Sequence, residues 1–103
     1  MQFKTDKPVI VSEFGAGALF GYHGTNKQRW TEEYQEQLYK ATCDMLDKMP
    51  NLVGVTPWIL MDFRSSKRLL PGIQDDFNRK GLFSERGEPK KAMFILKDWY
   101  SKK

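Results

Sequence analysis

The chain contains two apolar runs, and each is followed by a long loop and then by a segment of helical periodicity. This repeated pattern limits the possible folds of the chain more than any other feature. The first run, Pro8–Ser12, is continuous rather than alternating, which is typical of a strand covered on both faces in a parallel sheet. The second begins at Leu52 and is predicted to run on toward Met61, with Pro57 at the strand end or at a bulge because proline cannot donate to a ladder. The order strand, loop, helix, strand, loop, helix predicts an α/β fold with parallel strands and right-handed crossovers.

The first helix has a recognisable beginning. Thr31 is a candidate N-cap, and Glu32 and Glu33 complement the positive end of the helix dipole. Cys43 is expected to be a small hydrophobic residue, buried or half-buried. Apolar residues at three- and four-residue spacing predict one buried stripe, formed by Tyr34, Leu38, Ala41, Met45 and Met49.

The second helix is predicted to open at Glu88 and Pro89, because proline is favourable in a first helical turn. Ala92, Leu96 and Trp99 are predicted to line its buried side. The charged segment before it, residues 63–81, is predicted to be a long loop.

Length and composition exclude several classes of protein. A chain of 103 residues holds one domain at most and cannot form a complete (β/α)₈ barrel, which takes roughly 250 residues. No apolar run approaches the ~20 residues of a membrane helix, and Met1–Asp6 is too short and polar for a signal peptide. The net charge of +4 is spread along the chain, so neither nucleic acid nor a membrane is predicted as a partner. One Cys and one His form no closed zinc site, and no metal or cofactor is predicted.

Both long loops follow the carboxyl ends of predicted strands, which is the edge that carries the chemistry in parallel α/β folds. Glu13 lies where the first strand ends and a glycine-bearing loop begins, and Trp58 lies at the corresponding end of the second. These two positions are therefore the first candidates for a functional site.

Four segments of the chain resemble motifs of glycoside hydrolase family 2, whose members include β-galactosidases and β-glucuronidases. They are Pro8–Gly15 (PVIVSEFG), Trp30–Gln35 (WTEEYQ), Trp58–Phe63 (WILMDF) and Asn78–Phe83 (NRKGLF). The segments agree with the family in order and spacing, and the resemblance spans Lys7–Tyr100.

The resemblance implies that residues 1–103 are the C-terminal quarter of a catalytic TIM barrel, with strands seven and eight and helices seven and eight. It implies a soluble retaining exo-glycosidase with a carbohydrate substrate and no cofactor. The acid/base Glu of the family, in an Asn-Glu pair on strand four, has no counterpart here. The isolated fragment is therefore expected to be inactive, and to need the rest of the barrel or a homo-oligomer as partner.

The resemblance also assigns roles to individual residues. Glu13 matches the nucleophile, and Trp58 matches the platform beneath the sugar ring, with a cis peptide bond expected between Trp58 and Ile59. His23 and Asp62 match positions that line or border the substrate site.

Asn78 and Lys80 match the Asn-x-Lys motif that holds the C6 carboxylate of glucuronate in the family's β-glucuronidases. An ammonium and an amide can both donate charge-assisted hydrogen bonds to that carboxylate, so β-D-glucuronides are the expected substrates. An Arg that assists in some of these enzymes is replaced by Gln74, and Arg64 or Arg68 could substitute for it. The alternatives are a β-galactosidase of the same family and a non-catalytic carbohydrate-binding module.

Overall fold

The computed structural model describes residues 7–102; Met1–Asp6, where the prediction about a signal peptide falls, and Lys103 lie outside the described residues. The elements are β1 (Val9–Ser12), α1 (Glu32–Asp47), β2 (Leu52–Thr56), β3 (Phe63–Arg64), β4 (Phe77–Asn78) and α2 (Lys91–Ser101). Over this part of the chain, no helix is long and apolar enough to cross a membrane.

The β1 and β2 strands pair in parallel, which confirms the prediction for these two runs. Ser12 lies opposite Thr56, so both strands end at the same edge. The β2 strand is shorter than predicted: it ends at Thr56, immediately before Pro57, and Trp58–Met61 lies outside it. Pro57 has no N–H to donate, and the next residue, Trp58, donates its N–H to the Phe14 carbonyl at the strand edge.

The prediction that the strands are covered on both faces is wrong for the described residues. Val9 and Val11 are half-buried, whereas Ile10 between them and Val53 on the neighbouring strand are each 66% exposed. The described residues place no element over this face of the two-stranded sheet.

The N-cap of α1 is confirmed, because Thr31 is extended and its Oγ1 accepts a hydrogen bond of 3.1 Å from the Tyr34 N–H. The predicted apolar stripe is wrong. Met45, a member of the predicted stripe, is 37% exposed, whereas Tyr39 is fully buried. The buried face consists of Glu32, Gln35, Tyr39, Cys43 and Leu46.

Two polar side chains explain why the buried face of α1 differs from the predicted apolar stripe. Glu32 Oε1 accepts the Lys91 N–H at 2.8 Å, and Gln35 Nε2 donates to the Ala16 carbonyl at 2.9 Å. Backbone N–H groups pair with both carboxylate oxygens of Glu32, and Gln35 Nε2 donates to backbone carbonyls, whereas the buried Gln35 Oε1 has no hydrogen-bond partner among the described residues. A pattern of apolar residues alone cannot indicate such a face.

The α2 helix begins at Lys91, with Lys90 as N-cap, so the predicted start at Glu88 and Pro89 is too early. Pro89 instead forms an isolated bridge with Phe83. The predicted buried side is confirmed for Ala92 and Leu96, and Trp99 packs against the core. The core between the helices consists of Tyr39, Cys43, Leu82, Ala92 and Leu96.

Residues 63–81 are not entirely loop. The short strands β3 and β4 pair antiparallel, with Phe63 opposite Asn78. The Arg64 and Arg79 guanidinium carbons lie 4.9 and 4.7 Å from the centroid of the Phe77 ring, an arrangement that favours cation–π attraction. This ribbon returns the chain to the edge of the sheet, where Ile59 N–H donates to the Lys80 carbonyl at 3.1 Å.

Candidate active site

A cavity of about 310 Å³ opens at the carboxyl end of the two parallel strands. Its lining residues come from both strand ends and from the segment after β4. They are Glu13, Phe14, Gly15, Trp58 and Lys80. Three residues singled out in the sequence, Glu13, Trp58 and Lys80, therefore meet in one cavity.

Glu13 is held at the cavity by its backbone. Its φ of 61° lies in the left-handed region that non-glycine residues seldom adopt. Its N–H donates to the Thr56 carbonyl at 2.9 Å, and one residue later the Phe14 carbonyl accepts the Trp58 N–H at 2.9 Å. These bonds continue the parallel pairing past the strand ends and fix an exposed carboxylate at the cavity.

Gly15 allows the two strand ends to approach this closely. Its φ is 148°, and a Cβ at this position would collide with the Trp58 carbonyl oxygen. A side chain at residue 15 would therefore move Trp58 away from Glu13.

Trp58 presents an indole to the cavity and is 37% exposed. Its ring meets the ring of Phe63 edge-on, with centroids 6.2 Å apart and planes at 86°. The peptide bond to Ile59 is cis, as the family resemblance implied. A half-exposed aromatic face held by a second aromatic ring is suited to stacking against the apolar face of a sugar.

Lys80 and Asn78 are close in sequence but differ in position. Lys80 is exposed and lines the cavity, whereas Asn78 is 4% exposed and lies outside the lining. Asn78 Oδ1 accepts the Lys80 N–H at 3.0 Å, a turn that sets the direction of the chain at residue 80. The structure therefore shows Asn78 holding the Lys80 backbone.

Asp62 is buried behind the cavity and does not line it. Its Oδ1 accepts hydrogen bonds from Lys90 Nζ and the Gly81 N–H, both at 2.8 Å, and its Oδ2 lies 3.4 Å from Arg79 Nη1. Burial raises the pKa of Asp62 and lowers the pKa of Lys90, and the attraction between the two charges opposes both shifts. Asp62 is thus placed to orient the segment that carries Lys80.

Three other candidates lie away from the cavity. His23 is at the N-terminal end of α1, where its Nδ1 is 2.9 Å from Glu33 Oε2. The Arg64 guanidinium lies over the Phe77 ring. Gln74, which stands where some relatives of the family have an Arg, accepts the Leu70 N–H at its Oε1 at 3.2 Å. Arg68, the other possible substitute, is also absent from the cavity lining. The geometry does not bring His23 or either arginine to Glu13.

The cluster around Glu33 predicts a dependence of stability on pH. Burial opposes ionisation of Glu33, but hydrogen bonds from Lys91, His23 and the Gly24 N–H outweigh it and lower the pKa to about 2. A glutamate in an unfolded chain titrates near 4.3, so the folded state holds the ionised form more strongly. The resulting stability is complete above pH 4.3 and is lost as the pH falls toward 2.

Urea unfolding between pH 5 and pH 2.5 tests this expectation. The wild type should lose more stability over that range than Glu33→Gln, which has no carboxylate to protonate at residue 33. Equal losses in the two proteins would contradict a role for Glu33.

The sequence did not single out Lys90, Arg79 or Gln35, although all three surround the segment that carries Lys80. Charged and amide side chains in a single sequence indicate a solvated surface, and nothing near Lys90 signals otherwise. Their importance follows from burial, since Lys90 and Gln35 are fully buried and Arg79 is 7% exposed. Within the described residues, no cluster of His, Cys, Asp and Glu could hold a metal ion.

Comparison with known proteins identifies the family of the chain. Residues 1–103 match the family model described as "Glycosyl hydrolases family 2, TIM barrel domain". A β-glucuronidase of Streptococcus agalactiae is 40% identical over 88 residues, which are 85% of this chain and 14% of that protein. The β-glucuronidase of Homo sapiens is 36% identical over 104 residues, or 96% of this chain and 15% of that protein.

Solved structures are similar in backbone as well. The structure of a GH2 beta-galacturonidase from Eisenbergiella tayi, bound to galacturonate, has a TM-score of 0.83 and 32% identity to this chain. The match covers 96% of this chain and 18% of that one. A Ruminococcus gnavus β-glucuronidase has a TM-score of 0.80 at 29% identity, with coverage of 93% and 16%. The chain thus spans only about 15% of the length of the relatives and structures that it matches.

Proposed function

This chain belongs to the TIM barrel domain family of the family 2 glycosyl hydrolases, and from that premise we propose that it carries the nucleophile half of a retaining exo-glycosidase for β-D-glucuronides. The observation that supports the proposal is the shared cavity of Glu13, Trp58 and Lys80. In this cavity, a carboxylate could attack the anomeric carbon, an aromatic face could support the sugar ring, and a cation could pair with the C6 carboxylate.

The proposed place in the barrel follows the element order. The β1 strand corresponds to strand seven, α1 to helix seven, β2 to strand eight and α2 to helix eight. The parallel pairing of β1 with β2, and the cavity at their carboxyl ends, support this assignment because barrel active sites lie at that face.

In the proposed reaction, the Glu13 carboxylate attacks the anomeric carbon while the bond to the leaving oxygen breaks and that oxygen takes a proton from an acid. Water then gives a proton to the conjugate base of that acid and attacks the same carbon, the bond to Glu13 breaks, and the sugar is released with its configuration retained. The second carboxyl group must lie roughly 5–5.5 Å from the first. Glu13 is the one carboxylate among the described residues that line the cavity.

We therefore propose that the acid/base carboxyl comes from outside these 103 residues, from another part of the same barrel or from a second copy. The 103-residue chain by itself is expected not to hydrolyse glycosides. In the protein that supplies the missing acid, Glu13 and its partner would face each other across the cavity.

Lys80 supports a uronide as the substrate. Its ammonium can pair with a C6 carboxylate, whereas a neutral galactoside would leave the cation unpaired in a closed site. Solved relatives that act on glucuronides and on galacturonides both match this chain at about 30% identity. Hydrolysis of β-galacturonides is therefore the second candidate, because glucuronate and galacturonate share this carboxylate.

Initial rates on matched aryl β-glycosides test the proposal. The full-length protein that contains this chain should cleave the glucuronide fastest, the galacturonide second and the galactoside slowest. NMR of the first product formed should show the β-anomer. A faster galactoside reaction would favour a β-galactosidase, and binding without turnover would favour a carbohydrate-binding module.

A further inference from the structure

Lys90 is a buried cation close to the candidate active site. Its side chain is fully buried, and its Nζ donates to Asp62 Oδ1 at 2.8 Å, to the Ala18 carbonyl at 2.6 Å and to the Arg79 carbonyl at 3.1 Å. An ammonium has three protons to donate, so every one of them has a partner. A charge is retained in such a place only when its partners satisfy it fully.

The ion pair of Lys90 and Asp62 contacts the peptide groups on both sides of Lys80. The Arg79 carbonyl, which Lys90 holds directly, belongs to the peptide group that precedes Lys80. The Gly81 N–H belongs to the peptide group that follows, and Asp62 Oδ1 accepts it at 2.8 Å while also accepting from Lys90. One ion pair thus holds the peptide groups before and after the cavity lysine.

Close packing reinforces this arrangement. A Cβ at Gly81 would collide with the backbone of Met61 and Asp62, so the segment lies directly against the chain that carries the carboxylate. Gln35 Nε2 donates to the Gly81 carbonyl at 3.0 Å from the other side. The backbone around Lys80 therefore has little freedom, although its side chain is exposed.

We propose that Lys90, through its ion pair with Asp62, is a positioning residue that directs the Lys80 ammonium toward the carboxylate of the substrate. The inference rests on the proposed function, because it assigns Lys90 to uronide recognition rather than to the attack by Glu13. Backbone precision around Lys80 matters because a displacement of about 1 Å in a binding group can cost about 100-fold in rate.

The first experiment replaces Lys90 by Met in the full-length protein. We expect kcat/KM for an aryl glucuronide to fall about 10- to 100-fold, mostly through KM, with less than a threefold change for a dinitrophenyl galactoside. Lys91→Met is the matched control, since the adjacent Lys91 pairs with Glu33 at the surface and has no bond to residues 79–81. Equal losses on both substrates would overturn the proposal.

A double-mutant cycle tests whether Lys90 acts through Lys80. In a Lys80→Ala background, Lys90→Met should cause no further loss on the glucuronide, because the group that it positions is absent. Independent, multiplying losses would overturn the inference. If Lys80→Ala alone leaves the preference for glucuronide unchanged, uronide recognition by Lys80 fails, and the role of Lys90 fails with it.

Lys90→Met leaves the Asp62 carboxylate buried without its cation, which opposes folding. A second variant therefore serves if Lys90→Met does not fold. Asp62→Asn combined with Lys90→Met leaves no unpaired charge and keeps an oxygen for the Gly81 N–H. It should show the same selective loss on the glucuronide, since the Arg79 carbonyl no longer has its ammonium partner. An unchanged ratio of the two rates in this folded variant would overturn the proposal.

Discussion

Replacing Glu13 by Gln in the full-length protein is expected to lower kcat on an aryl glucuronide by about 10³-fold or more. An amide oxygen is a poor nucleophile, so the covalent step is lost while the cavity keeps its shape. The left-handed backbone at Glu13 and its bond to Thr56 do not involve the side-chain carboxylate, and stability should therefore change little.

Two further variants separate a nucleophile from a residue that only supports the fold. Glu36→Gln, on α1 and outside the cavity lining, should retain normal turnover. Glu13→Ala should regain activity when azide is added, because the small anion can attack the anomeric carbon from the vacated face and yield the α-glycosyl azide. Near-normal turnover by Glu13→Gln would exclude Glu13 as the nucleophile.

Replacing Lys80 by Ala is expected to change substrate preference rather than chemistry. A hydrogen bond to a charged group contributes about 1.5–3 kcal/mol, which corresponds to about 10- to 100-fold in kcat/KM for the glucuronide. The galactoside has no carboxylate, so its kcat/KM should change less than threefold. The ratio of kcat/KM for the glucuronide to kcat/KM for the galactoside, measured on one enzyme preparation, gives the change in substrate preference directly.

Two lysine variants serve as controls for this prediction. Lys80→Arg keeps a cation at the cavity and should retain part of the preference for glucuronide, although the bulkier guanidinium alters the geometry. Lys40→Ala removes an exposed positive charge from α1, away from the cavity, and should leave both rates unchanged. Equal losses on the two substrates after Lys80→Ala would argue against carboxylate recognition.

Much of the local structure could be predicted because it depends on neighbouring residues. The Thr31 cap requires only a hydroxyl three residues before the Tyr34 N–H, and Pro57 directly follows the end of β2, one of the two places predicted for it. The cis bond after Trp58 came from the resemblance and is confirmed. Physical reasoning from spacing alone would not have found it.

Other features depend on contacts between distant segments and could not be predicted. The buried face of α1 begins with Glu32 and Gln35 because the backbone groups of residues 16, 81 and 91 pair with them. The β3–β4 ribbon forms within a segment whose charge and Pro71-Gly72 turn predict loop. In both cases the residues that pair are well separated in sequence, and local periodicity contains no information about them.

The sequence by itself determined the order of the two parallel strands and the two helices, the family, and the residue types on which attack and carboxylate recognition would depend. Only the tertiary structure decided which of those residues share a cavity: Glu13, Trp58 and Lys80 meet, while Asn78, Asp62 and His23 have other partners. It also showed that a fully buried lysine, Lys90, holds the segment that carries Lys80. The physical reason is that a charged side chain is assigned to the surface unless its burial and its partners are known, and both are properties of the folded chain.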